Sequence, residues 1–462
     1  MGSLRDHPAD RTTAHSRSRE RYRRAALTSL ASALSRFISL AISVVTVRLT
    51  FRYLGAERYG MWMTVSSFVL MLTFADLGMS NGLINLVADA FGRKESQTAR
   101  KAVASAFWML LLVAAVLAVA MACGYPFINM ARLFNVHTPL ALREAGPTLL
   151  AFFLCFVLNL PLGTVRGTQT GLQKGYVNNL WNILGTLLSL AALLAAIHLH
   201  AGLPLLVLAL SGPPLLASFL NGVELFGWSH PELRPAPRFV SREAASRLFG
   251  TGMMFFLLQL CISIGMQTDN IVIAQILGPS SVADYAVPAR LFNMINALMV
   301  LVSGSIWPAY ADALARADGA WIRKTYRRVS IAGTAVAIVL SALFVAFGNR
   351  LLALWIGPEM HASTTLLVLL AAFCILNGYL QPVNFLLNGV GAFRVQVICA
   401  IVMAVLNIAL SIYFVHRYGL FGAILGTVIA QLLVQAAPLT LAARRVLRGL
   451  QQAPDDVVRH EA

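Results

Sequence analysis

Three arginines stand where arginine is expensive. The apolar run from Ala26 to Gly55 is long enough to cross a bilayer, which takes about 20 residues, and Arg36 sits in its middle. A helix rises about 1.5 Å per residue, so Arg36 lies roughly 18 Å beyond Arg24, near a bilayer midplane. Ser32, Arg36, Ser39, Ser43, Thr46 and Thr50 recur at three- and four-residue steps and form one narrow polar stripe on that helix. Arg48 lies nearer the end of the same run, at snorkelling depth. Arg290 lies in a later apolar run. A guanidinium offers a planar fork of donors and keeps its proton, which suits an anionic partner. Two acids, Asp76 and Asp269, also fall inside apolar runs, where a carboxylate is costly unless paired or functional. Each either pairs with a cavity arginine or carries a coupling proton or sodium ion.

Amides follow the same pattern. Gln259, Ser263, Gln267, Asp269 and Asn270 share one segment, and Asn377, Gln381, Asn384 and Asn388 line one face of another. Asn178, Asn182, Thr186 and Ser189 mark a third, and Asn293 and Asn296 accompany Arg290. Amides facing hydrocarbon are costly, so these stripes face inward, toward a water-filled cavity or toward one another. No metal-ligand spacing, glycine-rich phosphate loop or nucleophile–base pair accompanies them. The five cysteines are scattered through apolar runs as small hydrophobes. This chemistry binds and carries, and no enzyme is expected.

The elements that position these residues are membrane spans. Of 462 residues, 58% are hydrophobic and only 12% charged, where a soluble chain carries about 25%. The net charge of +17 is read as topology and attraction to anionic headgroups, not as nucleic-acid binding. The pattern predicts an all-α polytopic protein with twelve transmembrane helices, at 26–50, 60–86, 102–125, 148–166, 176–198, 203–226, 247–275, 285–308, 329–348, 364–388, 395–415 and 420–443. Residues 1–24 read as a disordered basic cytoplasmic tail, 25–226 as an N-terminal six-helix lobe and 227–246 as a cytoplasmic linker. Residues 247–443 read as a C-terminal six-helix lobe and 444–462 as a cytoplasmic tail. With both termini inside, 27 Lys and Arg fall in cytoplasmic segments. Only six fall outside, namely Arg52, Arg58, Arg132, Arg143, Arg350 and Arg417.

An internal repeat links the halves. A shift of 223 residues maps Leu54-Gly55 onto Leu277-Gly278, Ser80 onto Ser303 and Arg100-Lys101 onto Arg323-Lys324. The same shift places Gln259 at the position of Arg36, and Asp269 at that of Thr46. Six helices separate the copies, so the lobes run parallel around a central cavity, an arrangement of transporters. Pro161 and Pro382 occupy matching places late in the fourth and tenth helices. The expected cavity residues are Arg36, Arg48, Arg290, Gln259, Gln381 and Asn384.

The segment Arg52-Tyr53-Leu54-Gly55-Ala56-Glu57-Arg58-Tyr59-Gly60 and Asp76-Leu77-Gly78, with the basic loop at Arg93-Lys94, resemble a family. So do Asp269, Leu277-Gly278-Pro279 and Tyr285. The chain is similar to the lipid-linked oligosaccharide flippases of bacterial O-antigen and exopolysaccharide synthesis, within the superfamily of multidrug and oligosaccharidyl-lipid exporters. The resemblance spans roughly residues 25–443. It implies alternating access and flipping of an undecaprenyl-pyrophosphate-linked oligosaccharide from the cytoplasmic to the periplasmic leaflet of the inner membrane. It also implies membrane lipids as neighbours, with a polysaccharide polymerase and chain-length machinery as partners. The alternatives are a drug or cation antiporter, in which cavity acids would outnumber arginines, and a glycan polymerase or ligase. A polymerase needs a large external loop, and the longest here is about 126–147.

Overall fold

The computed structural model describes residues 8–452 except 94, 137, 304, 305 and 317. Among them there is no strand, as hydrocarbon demands of a chain that crosses it without forming a barrel. The helices are α1 (Pro8–Met71), α2 (Met79–Gly92), α3 (Ser96–Gly124), α4 (Met130–Phe134), α5 (Pro139–Gly171), α6 (Gly175–His198), α7 (Leu203–Glu224) and α8 (Arg242–Leu277). They continue as α9 (Pro279–Ser303), α10 (Ile306–Ala315), α11 (Gly319–Trp355), α12 (Thr364–Gly389), α13 (Phe393–Tyr418), α14 (Gly422–Gln431) and α15 (Ala437–Gln452).

Twelve passes follow from these fifteen described helices. Gly55, at φ 72° and ψ 175°, breaks α1 into two arms. The second arm continues into α2 through a 3-10 turn at Leu72–Asp76, with Leu77 and Gly78 both at positive φ. α9 with α10, and α14 with α15, likewise make one pass each. Two apolar stretches, Leu30–Gly92 and Arg394–Leu450, are each long enough for two crossings. The repeat is visible in the backbone: Gly278, 223 residues after Gly55, is also at positive φ, 90°. Only glycine takes such a turn without strain.

The tails are shorter than the composition suggests. α1 begins at Pro8, whose fixed φ suits a first helical position. Residues 8–24, expected to be disordered, continue that helix, because no proline or glycine follows Pro8 until Gly55 and the stretch is rich in Arg. α15 extends to Gln452, so residues 444–452 are helical too. Residues 1–7 and 453–462 of the expected tails, and Lys94 of the basic loop, lie outside the described residues.

Contacts divide the chain into two compact units. The first comprises 1–46, 74–128 and 147–256. Its core joins Leu83, Val87 and Ala90 of α2 with Ala99, Val103 and Ala106 of α3, Leu172, Leu248 and Leu233. Leu233 belongs to the 227–246 segment, which is strapped down and not free. Trp108 donates to the Pro235 carbonyl at 3.0 Å, Ser105 exchanges hydrogen bonds with the Ser241 backbone, and the Arg100 guanidinium lies 3.6 Å over the Phe239 ring. Lys174 sits 2.9 Å from His230 Nε2, and His230 Nδ1 sits 2.8 Å from Glu232. An ammonium can only donate, so His230 accepts at Nε2 and gives its single ring proton from Nδ1 to the carboxylate.

The second unit comprises 47–73, 129–146 and 257–462. It therefore takes pieces of the first sequence half, which a linear split at 227–246 does not foresee. The reason is a set of side chains tied to backbone ends. Arg48 donates to the Leu354 carbonyl at 3.2 Å and Arg52 to the Ile356 carbonyl at 2.7 Å, closing the C-terminal end of α11. Asn135 donates to the Ala274 and Gln275 carbonyls, and Gln275 donates back to Leu133. Arg58 grips Glu144 with two bonds of 2.7 Å. Gly60 lies so close to Pro279 that a Cβ there would overlap its carbonyl.

Two predictions follow from these packings. Gly60→Ala should lower the melting temperature in detergent by the equivalent of about 1–3 kcal/mol, the cost of overpacking. Gly92→Ala, with nothing within 4 Å of the added methyl, should be neutral or slightly stabilising; equal melting of the two variants would contradict the Gly60 contact. For Glu232, burial alone would raise the pKa. The bonds from His230 and from its own backbone N–H, with the Lys174 charge, outweigh burial and hold it below the usual 4.5. Its folded pKa is thus the lower one, so its hold on the segment is complete above 4.5 and fades as pH falls through the folded value. Hydrogen exchange of residues 231–240, corrected for intrinsic pH effects, should show that loss in the wild type and not in Glu232→Gln.

Candidate functional site

The second unit contains a cavity of about 490 Å³. Ser66 and Ser67 reach it from the second arm of α1, Gln267 and Asn270 from α8, Arg290 and Asn293 from α9. Asn377 of α12 and Gln431 of α14 complete the polar wall, with Phe292 and Phe373 as apolar surface. A lining of amides, hydroxyls and one guanidinium suits a polar ligand bearing an anionic group.

Neighbouring side chains fix how these groups point. Asn377 donates to the Phe373 carbonyl, so its Oδ1 faces Gln431 and accepts from Nε2 at 3.0 Å. Asn270 donates to Ser67 at 2.9 Å. Arg290 reaches the Met63 sulfur at 3.5 Å.

Asp269 lines the cavity and is buried. Tyr285 donates to its Oδ2 at 2.9 Å, Thr427 lies 3.1 and 3.2 Å from its two oxygens, and Ser411 lies 3.3 Å from Oδ1. Both Thr427 and Ser411 also face the Asn407 Oδ1 and the Ala423 carbonyl. The Asn407 amide is oriented by its donation to the Gly265 carbonyl at 3.3 Å. Each hydroxyl carries one proton, so it satisfies one of these acceptors at a time. The Ala423 carbonyl also accepts within α14, so the three hydroxyl protons are shared chiefly among the two carboxylate oxygens and the Asn407 amide oxygen.

Of the eight expected site residues the cavity brings together two, Arg290 and Asp269, and from the amide stripes it gathers Gln267, Asn270, Asn293 and Asn377. No arginine forms an ion pair with Asp269 among the described residues; hydroxyls take that place. Arg48 is turned to the end of α11. Gln259 is exposed on α8, and Gln381 does not line the cavity. Asn384 accepts from Gln396 through both its backbone and side-chain oxygens. In the first unit, Arg36 is exposed between Leu34 and Phe37, beside Ser35, which accepts from Asn182 at 3.2 Å. Asp76, also there, accepts from the Ser80 hydroxyl at 3.0 Å and its backbone N–H at 3.4 Å, and so serves the first turn of α2. Sequence reasoning missed Asn407, Ser411, Thr427 and Gln431. Their signal was present: two pairs of polar residues at four-residue spacing inside apolar runs.

Comparison with known proteins places this geometry. The sequence profile of a family described as polysaccharide biosynthesis protein matches residues 28–314, and the MatE profile matches 255–413. A Salmonella typhi protein named as an O-antigen transporter is 21% identical over 409 residues, covering 86% of this chain and 90% of its own length. A Yersinia pseudotuberculosis protein named as an O-antigen export protein is 24% identical over 196 residues, covering 41% of this chain and 44% of its own. Among solved structures, an inward-facing multidrug resistance MATE transporter of the MOP superfamily superposes with a TM-score of 0.76 at 16% identity, covering 91% of this chain and 99% of that one. A MOP superfamily transporter from Pyrococcus furiosus, reported with a binding pocket of reversed polarity, gives 0.66 at 15% identity over 92% of this chain and 96% of its own. At such identities the structures establish the fold: twelve helices in two lobes, spanning the membrane many times.

The carboxylate cage makes its own prediction. Thr427→Val removes one of three hydroxyl protons from Asp269 and should cost about 1–3 kcal/mol, whereas Thr427→Ser should cost little. Equal unfolding midpoints for the two variants in denaturant would show that Thr427 does not serve the carboxylate.

Proposed function

Because the chain belongs to the polysaccharide biosynthesis protein family, we propose that it flips an undecaprenyl-pyrophosphate-linked oligosaccharide across the bacterial inner membrane, from the cytoplasmic to the periplasmic leaflet. The observation that carries this reading is the cavity wall itself, where Arg290 stands among amides and hydroxyls. A guanidinium neutralises a pyrophosphate that hydrocarbon rejects, and amides bond sugar hydroxyls in both directions. The prenyl tail needs no polar path and stays in lipid. Arg36, deep in the first pass, offers a guanidinium to an anionic headgroup as well. Both termini face the cytoplasm, as the bias of 27 basic residues against six supports. A polymerase and its chain-length regulator receive the product outside.

Asp269 supplies the coupling. Its cage takes a proton or a sodium ion, and occupancy changes how tightly α8, α13 and α14 are held to one another. A carboxylate without a cationic partner in the membrane is costly, and binding a cation relieves that cost.

The test is export in a strain deleted for the gene. Arg290→Ala and Arg36→Ala should insert at normal levels, cut surface polysaccharide at least tenfold and leave lipid-linked precursor on the cytoplasmic side. Arg290→Lys, which keeps the charge and loses the fork, should retain part of the export. Asp269→Asn should fold, bind precursor and fail to respond to an imposed proton or sodium gradient. Normal export by both arginine variants at normal expression would refute a headgroup role. Drug resistance conferred by the wild type would point instead to the antiporter reading.

A further inference from the structure

A second binding surface lies on the second unit, away from the cavity. α15 is amphipathic. Leu439 and Ala443 are buried, and Val446, Leu447 and Leu450 pack on a core that includes Ile322 and Tyr310. The opposite side exposes Arg444, Arg445 and Arg448. The first turns of α11 lie against it: Arg323 donates to the Leu450 carbonyl at 2.7 Å, and a Cβ at Gly319 would come within 2.9 Å of the same oxygen. Lys324, Arg327 and Arg328 of α11 are exposed as well. Two helix ends thus hold six exposed cations, and none of them forms an ion pair among the described residues. Neither α11 nor α15 contains an acid. Asp318, just before α11, is engaged as its cap by the Trp321 N–H at 2.9 Å.

The exposed face below these cations is apolar and continuous. From Arg328, steps of three and four residues lead to Ile331, Ala332, Ala335 and Val339, all exposed. Ile331 is 59% and Val339 58% exposed. The same ridge runs on through Ala342 and Leu343. A cationic head above an exposed hydrocarbon ridge matches one class of ligand: an amphiphile with an anionic head and acyl tails. Trp321, exposed beside the cations, is a side chain enriched at the membrane–water boundary. A nucleic acid or an acidic protein would use the cations and leave the ridge without a role.

We propose that the paired ends of α11 and α15 form a site for anionic phospholipid. The headgroup phosphate is held by Arg327, Arg328, Arg444 and Arg448, and an acyl chain lies along the α11 ridge. The phosphate lowers the mutual repulsion of the cations and so fastens α15 to α11. This site is separate from the transported substrate and does not depend on its identity.

The experiment uses the full-length protein, purified and delipidated in neutral detergent. Adding phosphatidylglycerol should raise the melting temperature, and native mass spectrometry should show phosphatidylglycerol retained in preference to phosphatidylethanolamine. Raised salt should weaken both effects. The pair R327Q/R328Q and the triple R444Q/R445Q/R448Q should each melt near wild type without lipid, and each should lose roughly tenfold in apparent phosphatidylglycerol affinity. Ile331→Ser should weaken the lipid while leaving the cations intact. The control pair R132Q/R143Q should respond like the wild type. Unchanged lipid stabilisation in the cation variants would overturn the proposal. So would stabilisation by glycerol phosphate equal to that by the lipid, since it would reveal a free-phosphate site.

Discussion

A polar atom inside a bilayer has no water to turn to, and nearly everything in this protein follows from that. Backbone groups are satisfied within helices, so the described residues form no strands. Hydroxyls bond back to their own helix: Thr46, Thr64, Thr268 and Thr440 each donate to the carbonyl four residues earlier. Side-chain amides find each other, as in the buried Gln169–Asn221 pair, bonded in both directions at 2.6 and 3.1 Å. Such bonds between membrane helices contribute only about 0.6 kcal/mol each on average. Their larger effect is to make other registers costly, because a slipped helix strands these groups in hydrocarbon.

Close approach is the second consequence. Apolar surface does not drive helices together when the solvent is itself apolar, so small residues and van der Waals contact must do so. Gly185 on α6 lies against Pro214 of α7, where a Cβ would come within 2.8 Å. Gly426 on α14 meets the Ser411 backbone of α13, where a Cβ would come within 2.7 Å of its nitrogen. That second contact also sets the site. It brings Ser411 and Thr427 to the same carboxylate, so the cage around Asp269 depends on a glycine that carries no chemistry.

The fold was largely legible in the sequence because its signal is long and crude. Runs of about 20 apolar residues are hard to mistake, and all twelve expected spans correspond to helical passes. The Gly55–Gly278 correspondence was legible too, as the positive φ at both positions shows. The site was less so. Polar stripes identify which helices face inward, but not which polar residue meets which. Arg48 looked like a cavity ligand and bonds instead to a helix end, where a carbonyl three hundred residues away awaits a donor. Thr427 and Ser411 were not singled out, yet they are partners of Asp269. Pairing across helices depends on rotation about each helix axis, which one sequence does not encode in any local pattern.

The two deep acids sit in different surroundings. Asp76 lies beside a break in its helix, where backbone N–H groups are open, and Ser80 gives it both a hydroxyl and an N–H. It completes the start of α2 and has a helix end to balance its charge. Asp269 lies in the body of α8, where every nearby N–H is already engaged by the helix. Its partners are side chains, the hydroxyls of Tyr285, Ser411 and Thr427. One acid is therefore met partly by the backbone at a helix start, and the other, among the described residues, by side-chain hydroxyls alone.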